Sequence, residues 1–299
     1  MIKMGTSPKV SIIMPTFNRA AYILETIVSI QHQTYQNWEL IIVDDGSDDN
    51  TEEIIAGLKD ERIQFHKAGR IGTGGKIKNI GMEKSCGDLI AFIDSDDLWA
   101  ATKLEKQVVS LQQYPEAGFS LTGGYNFTKI DEPVEYFYKQ KEGIRYDDVF
   151  VSCFKSEVAG FAQALMFRKE WVAVTGAFKE QNSFSDMEFI LCLASRFRAV
   201  ILFEPLFYRR LHNTNDSSLN WEKRQYEGFE MMSSYKNFLP PKVLKDFLFR
   251  SYMNFGEKYL KHSKNGKAIH QFFKAWKIKP FSIIPPKKLA KAVLNSLLK

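Results

Sequence analysis

The sequence predicts an α/β fold: a doubly wound, mostly parallel sheet flanked by helices, with a basic helical tail at the C-terminus. Three observations predict it. Compact apolar runs end abruptly in turn-forming polar residues, as strands buried on both faces do. Segments of helical period separate those runs, and alternation of this kind specifies a parallel sheet. The 299 residues, 44% hydrophobic and 25% charged, are enough for a sizeable core.

Residues 10–14 form the first apolar run, stopped by Pro15, and residues 38–43 the second, stopped by Asp44-Asp45-Gly46-Ser47. Between them, AAYILETIVSIQHQT carries Ile23, Leu24, Ile27, Val28 and Ile30 at helical spacing. The cycle repeats with a helix over 49–58, a strand over 63–66, a helix over 76–84 and a strand over 89–94. A helix is expected over 103–114, then a less regular, aromatic-rich stretch to Lys155. GFAQALMFRKE reads as a glycine-led loop entering a strand. EQNSFSDMEFILCLASRF reads as a loop turning into an amphipathic helix, and LFYRRLHNTNDSS, after Pro205, as a strand followed by a polar loop. From about Pro240 the chain reads as helical, interrupted at Pro280 and at Pro285-Pro286. The expected domains are 1–220, with a first half to about residue 100 and a second from 101 to 220, and a helical basic extension over 221–299.

Net charge is +6 and unevenly distributed. Residues 241–299 hold 14 Lys+Arg against 2 Asp+Glu, or +12, which leaves 27 against 33, or −6, for residues 1–240. An acidic body with a basic tail suggests that the tail meets an anionic surface. Cys86, Cys153 and Cys192 are scattered without ligand spacing, so neither a disulfide framework nor a zinc site is indicated, and a reducing cytoplasm is expected. No run reaches the roughly 20 apolar residues of a membrane span, and the apolar N-terminal run is too short for a signal peptide.

In an open parallel sheet the ligand binds outside the carboxyl ends of the strands. Three expected strand ends carry residues suited to one: Pro15-Thr16-Phe17-Asn18, Asp44-Asp45-Gly46-Ser47 and Asp94-Ser95-Asp96-Asp97. The last cluster directly follows IAFI and precedes Leu-Trp, so apolar walls flank it, and an anionic cluster there costs stability unless a cation neutralises it. Hard oxygen ligands suit Mg²⁺ or Mn²⁺, ions that bridge to phosphates, so a diphosphate substrate is implied. Asp44 and Asp45 also make good turn chemistry with no function needed. GRIGTGGKIKNIG matches no phosphate-loop pattern, yet its Arg70, Lys76 and Lys78 offer charge to a leaving diphosphate. Asp186 and Glu188 open a helix, either as an acidic first turn or as a base that reaches an acceptor hydroxyl. His212, in YRRLH, is a structural histidine or a metal ligand.

In order along residues 8–215, VSIIMPTFNRAAYILETIVSIQHQTYQNWELIIVDDGSDDNTEEI, KNIGMEKSCGDLIAFIDSDDLW, SDMEFILCL and YRRLH closely resemble the inverting nucleotide-sugar glycosyltransferases of family 2. The resemblance implies a glycosyltransferase A-type fold, its nucleotide-binding half over about 1–100 and its acceptor half over about 101–220, that moves a hexosyl or N-acetylhexosaminyl group with Mn²⁺ or Mg²⁺. The expected donor is a UDP-sugar. The expected acceptor is a glycan or lipid-linked sugar in surface polysaccharide synthesis. It implies that Pro15, Thr16 and Phe17 hold the base and that Asp44, beside Asp45, reads it. Lys78 stands where the family usually has Arg, before Asn79, and keeps the charge without the bidentate fork. Asp94-Ser95-Asp96 matches the D-x-D motif, in which Asp96 is the principal metal ligand and Asp94 assists with metal or ribose. His212 matches a histidine that completes the metal site in some relatives. Asp186 matches the catalytic base, with Ser185 in place of the family's preceding acid.

Two other classes are open to the sequence. A non-catalytic sugar-nucleotide binding module would lack the base, and Asp186 is present. A sugar-nucleotide nucleotidyltransferase should carry a glycine-rich basic loop after its first strand, where this chain has PTFNR. The tail is either a solvated helical appendage or, with Phe272, Phe273, Trp276, Ile278 and Phe281 among lysines, a peripheral contact with an anionic membrane from the cytoplasmic side. Nucleic acid is not an expected partner, since the body is acidic and no recognition motif appears.

Overall fold

In a computed structural model of the chain, residues 7–129, 132–137, 142–155, 157–158, 160–180, 184–212 and 221–297 are described. Part of the loop expected before the helix at 185 (residues 181–183) and the polar loop expected after His212 (residues 213–220) lie outside them. The chain divides into two compact units, Met1–Asn220 and Trp221–Lys299.

The first unit holds β1 (Val10–Thr16), α1 (Ile23–Gln31), β2 (Trp38–Asp44), α2 (Thr51–Ala56), β3 (Ile63–Lys67), α3 (Gly74–Lys84), β4 (Leu89–Phe92), β5 (Leu98–Trp99) and α4 (Lys103–Gln113). There follow β6 (Phe119–Lys129), β7 (Glu132–Tyr136), β8 (Ile144–Asp147), α5 (Phe150–Phe154), β9 (Leu165–Arg168), α6 (Val172–Thr175), α7 (Ser185–Ala194) and β10 (Ala199–Arg210). One sheet runs in the order β3-β2-β1-β4-β9-β6-β10-β5, with β7 on β6 and β8 on β10. β3, β2, β1 and β4 are mutually parallel. Beyond β4 the sheet is mixed, because β9 runs antiparallel to both β4 and β6.

β1, β2 and β4 are sandwiched between layers, so Ile12, Ile13, Leu40, Ile41, Ile42, Leu89 and Ile90 are all fully buried. Each such side chain is worth about 1.5–3 kcal/mol of transfer free energy, which makes this the rigid part of the molecule. Strand order reverses between β1 and β4, and their parallel direction brings residues 15–19, 44–49 and 93–97 to one edge.

Two expectations are corrected. β10 does not begin after Pro205 but runs through it, its register against β6 slipping between Leu202 and Phe207, and such an irregularity is where a strand tolerates a proline. Pro285-Pro286 does not interrupt a helix but opens one, since a proline costs nothing in the first turn. The second unit holds that helix, α11 (Ile284–Leu297), with α8 (Trp221–Ser234), α9 (Pro241–Lys261) and α10 (Asn265–Ile278). It has its own core of Met253, Phe255, Tyr259, Ala268, Phe272, Ala275 and Ala292.

α3 rests on β1 through Gly81, where a Cβ would lie 2.4 Å from Ile13 Cγ2. Gly81→Ala should therefore lower stability by about 1–3 kcal/mol through overpacking. In urea titrations the double variant with Ile13→Ala should cost less than the two single changes together, because the smaller neighbour makes room. Additive costs would show that the helix moves away without resistance.

Candidate active site

The loop after β4 turns tightly, with Asp97 N donating to Asp94 O at 3.1 Å, and its four polar residues lie against β10 and the turn before β9. Ser95, Asp96 and Asp97 are buried, while Asp94 keeps partial exposure. Gln163, 2% exposed in the 3-10 turn Ala162–Ala164, donates its amide to Asp94 and, at 2.8 Å, to Asp97 Oδ2. Asp97 Oδ1 accepts Arg210 N at 2.9 Å. Asp96 Oδ2 takes two contacts, Arg19 Nε at 3.1 Å and His212 Nε2 at 2.9 Å. The imidazole stacks on Tyr22, 4.9 Å between centroids.

Asp186 lies in the first turn of α7, where the helix dipole favours a carboxylate. It accepts the Lys78 ammonium on one oxygen and Ala162 N, at 3.3 Å, on the other. Burial works against the charge of Lys78, but Asp186 and Asp94 overcome it and hold its pKa above the ordinary lysine value. Lys78 is therefore a buried cation shared between the metal-motif acid and the expected base. Ser185 is buried beside the backbone of Gly75, where a Cβ would meet Lys179 O at 2.5 Å.

The other expected residues divide. Asp44 accepts Gly46 N at 3.2 Å, Ser47 N at 3.0 Å and the Ser47 hydroxyl, so it builds its own turn. Asp45 holds Arg70, Ile71 N and Gly72 N and thereby fixes the following loop. Arg70 also covers the Phe17 ring, 3.8 Å from its centroid. Thr16 is buried at the end of β1, and Pro15 beside it is half-buried. Asn79 spends its amide on Phe178, one 2.9 Å bond each way, and so holds the chain before α7. Lys76 lies 3.8 Å from Glu180 at the surface. The sequence reading did not single out Arg19, Gln163 or Arg210. The signal was present for Gln163, a lone amide in an otherwise apolar run, since a buried amide needs partners.

Among the described residues no three His, Cys, Asp or Glu side chains form a cage for a metal ion. The carboxylate of Asp96 and the imidazole of His212 make a partial donor set of one oxygen and one nitrogen, with Asp94 on the same turn. That set fits an ion that takes its remaining ligands from a diphosphate and water. Two orphans point the same way. Thr16 Oγ1 and Gln163 Oε1 are buried without a partner among the described residues, each at a cost of about 1–3 kcal/mol unless a ligand satisfies it.

The sequence model described as Glycosyl transferase family 2 matches residues 11–172. TuaG of Bacillus subtilis (strain 168), a glycosyltransferase whose name places it in teichuronic acid biosynthesis, is 32% identical over 220 residues, 72% of this chain and 84% of TuaG. WfgD of Escherichia coli, a UDP-Glc:alpha-D-GlcNAc-diphosphoundecaprenol beta-1,3-glucosyltransferase, is 41% identical over 144 residues, 48% of this chain and 56% of WfgD. Among solved structures, S. aureus TarS 1-349 in complex with UDP-GlcNAc superposes with a TM-score of 0.68 at 16% identity, covering 96% of this chain and 89% of that one. The mannosyltransferase PcManGT from Pyrobaculum calidifontis in complex with GDP-Man and Mn²⁺ gives 0.60 at 17% identity, covering 98% and 81%. At these identities the structural likeness is one of fold, and the fold is the glycosyltransferase A type.

Burial, with the charges of Asp96 and Asp186 outweighed only in part by Lys78, pushes Asp94 up to about 6. Burial and the neighbouring Asp96 and Asp94 push Asp97 well above the carboxylate range. Both folded values exceed the unfolded 3.8, so these groups stabilise the ion-free fold at low pH. That contribution is lost as pH rises from 3.8 through about 6 for Asp94. A divalent ion favours the charged forms. The rise in Tm on adding Mn²⁺ should therefore grow between about pH 5 and pH 7.5 and vanish in Asp96→Asn. A shift independent of pH, or retained in the variant, would place the ion elsewhere.

Proposed function

Because this chain belongs to glycosyl transferase family 2, we propose that it moves a sugar from a nucleotide-diphosphate sugar to a hydroxyl of a glycan or lipid-linked acceptor. The donor is a UDP-sugar carrying a hexose or N-acetylhexosamine. The setting is surface polysaccharide synthesis. WfgD is named for a UDP-Glc donor and a diphosphoundecaprenol-linked acceptor, TuaG for teichuronic acid, and TarS holds UDP-GlcNAc. The observation that carries the reading is the convergence of the acid loop after β4 and the acid that opens α7 on the turn Ala162–Ala164, where Gln163 donates to Asp94 and Ala162 N to Asp186, with Lys78 bonded to the same Asp186.

Pro15, Thr16 and Phe17 hold the base with Asp44, and the orphan Thr16 hydroxyl is the group left for it. Asp94 and Ser95 face the ribose and diphosphate. Asp96, with His212 and Asp94, would hold Mn²⁺ or Mg²⁺, which when bound supplies the positive charge a leaving diphosphate requires. Asp186 takes the proton of the acceptor hydroxyl. The acceptor oxygen bonds to the anomeric carbon as the bond to the donor phosphate breaks, and the nucleoside diphosphate departs with that electron pair, inverting the centre. Lys78 holds Asp186 in place, and Asn79 and Gln163 fix the backbone and acids around it.

With wild type and Mn²⁺, one UDP-sugar should be turned over with release of UDP. Asp186→Asn should bind that donor as well as wild type while losing at least about 100-fold in rate, and Asp96→Asn should lose metal-dependent donor binding. Full activity in Asp186→Asn, or pyrophosphate as the product, overturns the reading.

The second unit supports membrane contact at the cytoplasmic face. From Ser263 to Lys299 there are nine Lys and no Asp or Glu. Phe273, Trp276, Phe281, Ile283 and Ile284 are exposed there, Phe281 at 99%. No helix among the described residues is long and apolar enough to cross a membrane, and the contact proposed is a peripheral one. The full chain should float with vesicles containing anionic lipid and not with neutral ones, and the triple variant Phe281→Ser, Ile283→Ser, Ile284→Ser should float several-fold less. Equal flotation of variant and wild type removes this surface from the proposal.

A further inference from the structure

The cations that the sequence offers to a diphosphate are committed elsewhere. Lys78 is bonded to Asp186, Arg70 to Asp45, and Lys76 faces Glu180. Two guanidiniums reach the acid motif: that of Arg210, which donates to the main-chain Asp96 O at 2.9 Å and pairs with Glu25, and, on the Asp96 carboxylate, that of Arg19, the last residue of the PTFNR stretch. Its main chain is fixed on every side. Arg19 N donates to Thr51 Oγ1 at 3.0 Å, and Arg19 O accepts Tyr22 N and Ile23 N at 2.9 Å at the start of α1. Asn18 before it, at φ 49°, donates its side-chain amide to Asp48 Oδ1 at 2.6 Å and accepts Asp48 N on its own Oδ1 at 2.9 Å.

The side chain is held less firmly. Nη1 donates to Phe17 O and Asn18 O at 3.1 Å, and Nε to Asp96 Oδ2 at 3.1 Å. Nη2 donates to nothing among the described residues, and the side chain is 20% exposed. Asp96 Oδ2 thus has both lone-pair directions taken, one by Arg19 and one by His212. A divalent ion can meet Asp96 at Oδ1, which takes no contact from the described residues, but it can hold Oδ2, or both oxygens together, only if one of the two contacts gives way. A planar fork with unused N–H groups is suited to take phosphate oxygens in return.

We propose that Arg19 is the resident counter-ion of Asp96, neutralising the acid in the empty site and exchanging it for the oxyanions of a nucleoside diphosphate when ion and nucleotide bind together. The proposal rests on the nucleotide-sugar reading above and adds a coupling to it. Because the same guanidinium opposes the ion alone and favours the nucleotide, each ligand promotes the binding of the other, and the coupling is reciprocal.

The test is a pair of titrations on the full chain, Mn²⁺ followed by electron paramagnetic resonance and uridine diphosphate followed by calorimetry, in wild type, Arg19→Gln and Arg19→Lys. Arg19→Gln should bind Mn²⁺ alone roughly five- to tenfold more tightly and uridine diphosphate, with Mn²⁺ present, about tenfold more weakly. Arg19→Lys should fall between Arg19→Gln and wild type for both ligands. Weakening of both ligands would make Arg19 a simple part of the site, and no change in either would make it a bystander. Each of those results overturns the exchange. If wild type binds neither Mn²⁺ nor uridine diphosphate, the nucleotide-sugar reading fails and the exchange with it.

Discussion

The rest of the molecule depends on how negative charge is held at the carboxyl edge of a buried parallel sheet. Six carboxylates, Asp44, Asp45, Asp94, Asp96, Asp97 and Asp186, gather at the ends of β1, β2 and β4 and the start of α7. Burying any one of them without a partner would cost several kcal/mol. The apolar strands beneath are rigid enough to hold the loops in place but offer the charges nothing. The compensation comes from backbone N–H groups, from Gln163, and from Arg19, Arg70 and Lys78, each supplied by a different segment. The rim is thus a bonded structure in its own right, and it is anionic enough to attract a cation.

Lys78 ties the two halves of the first unit together. It rides on α3, which Gly81 allows to lie against β1, and it reaches Asp186 at the start of α7. Asn79, the next residue, fixes the backbone at Phe178 ahead of α7, so one turn of α3 sets both the position of Asp186 and its electrostatic partner. An arginine at this position would bring a bulkier fork to a buried place. Lysine delivers a compact point charge that two carboxylates can share. Ser185, buried where the resemblance leads one to expect an acid, adds no second charge next to Asp186.

Much of the fold was legible because β1, β2 and β4 are uninterrupted apolar runs ended by turn residues, a pattern that only buried strands require. β6 was not. Its Gly123-Gly124 argues against a strand, yet a Cβ at Gly124 would lie 2.4 Å from Phe207 O and at Gly123 2.8 Å from Glu204 O, so the neighbouring β10 demands both glycines. The prolines within β10 and at the start of α11 misled for a related reason, since their cost depends on register and helix position and not on the residue alone. At the site, the motif acids were legible from their neighbours along the chain. Arg19 was not, and Gln163 was legible only as a buried amide in need of partners, because they meet those acids across 77 and 66–69 residues of sequence, and no local pattern encodes such a meeting.

Counting lone pairs separates the two aspartates that the sequence left paired. A carboxylate offers about four acceptor directions. Asp45 has them filled: Ile71 N and Gly72 N on Oδ1, Arg70 and Gly72 N again on Oδ2. Asp44 takes Gly46 N and Ser47 N on Oδ2 and only the Ser47 hydroxyl on Oδ1, which leaves one direction open. The turn and the ligand are therefore not competing explanations for Asp44, since its own loop uses three directions and a donor on a nucleobase could use the fourth. Asp45 has no such vacancy, and its contribution is to hold Arg70 over Phe17, shaping the wall against which a base would rest.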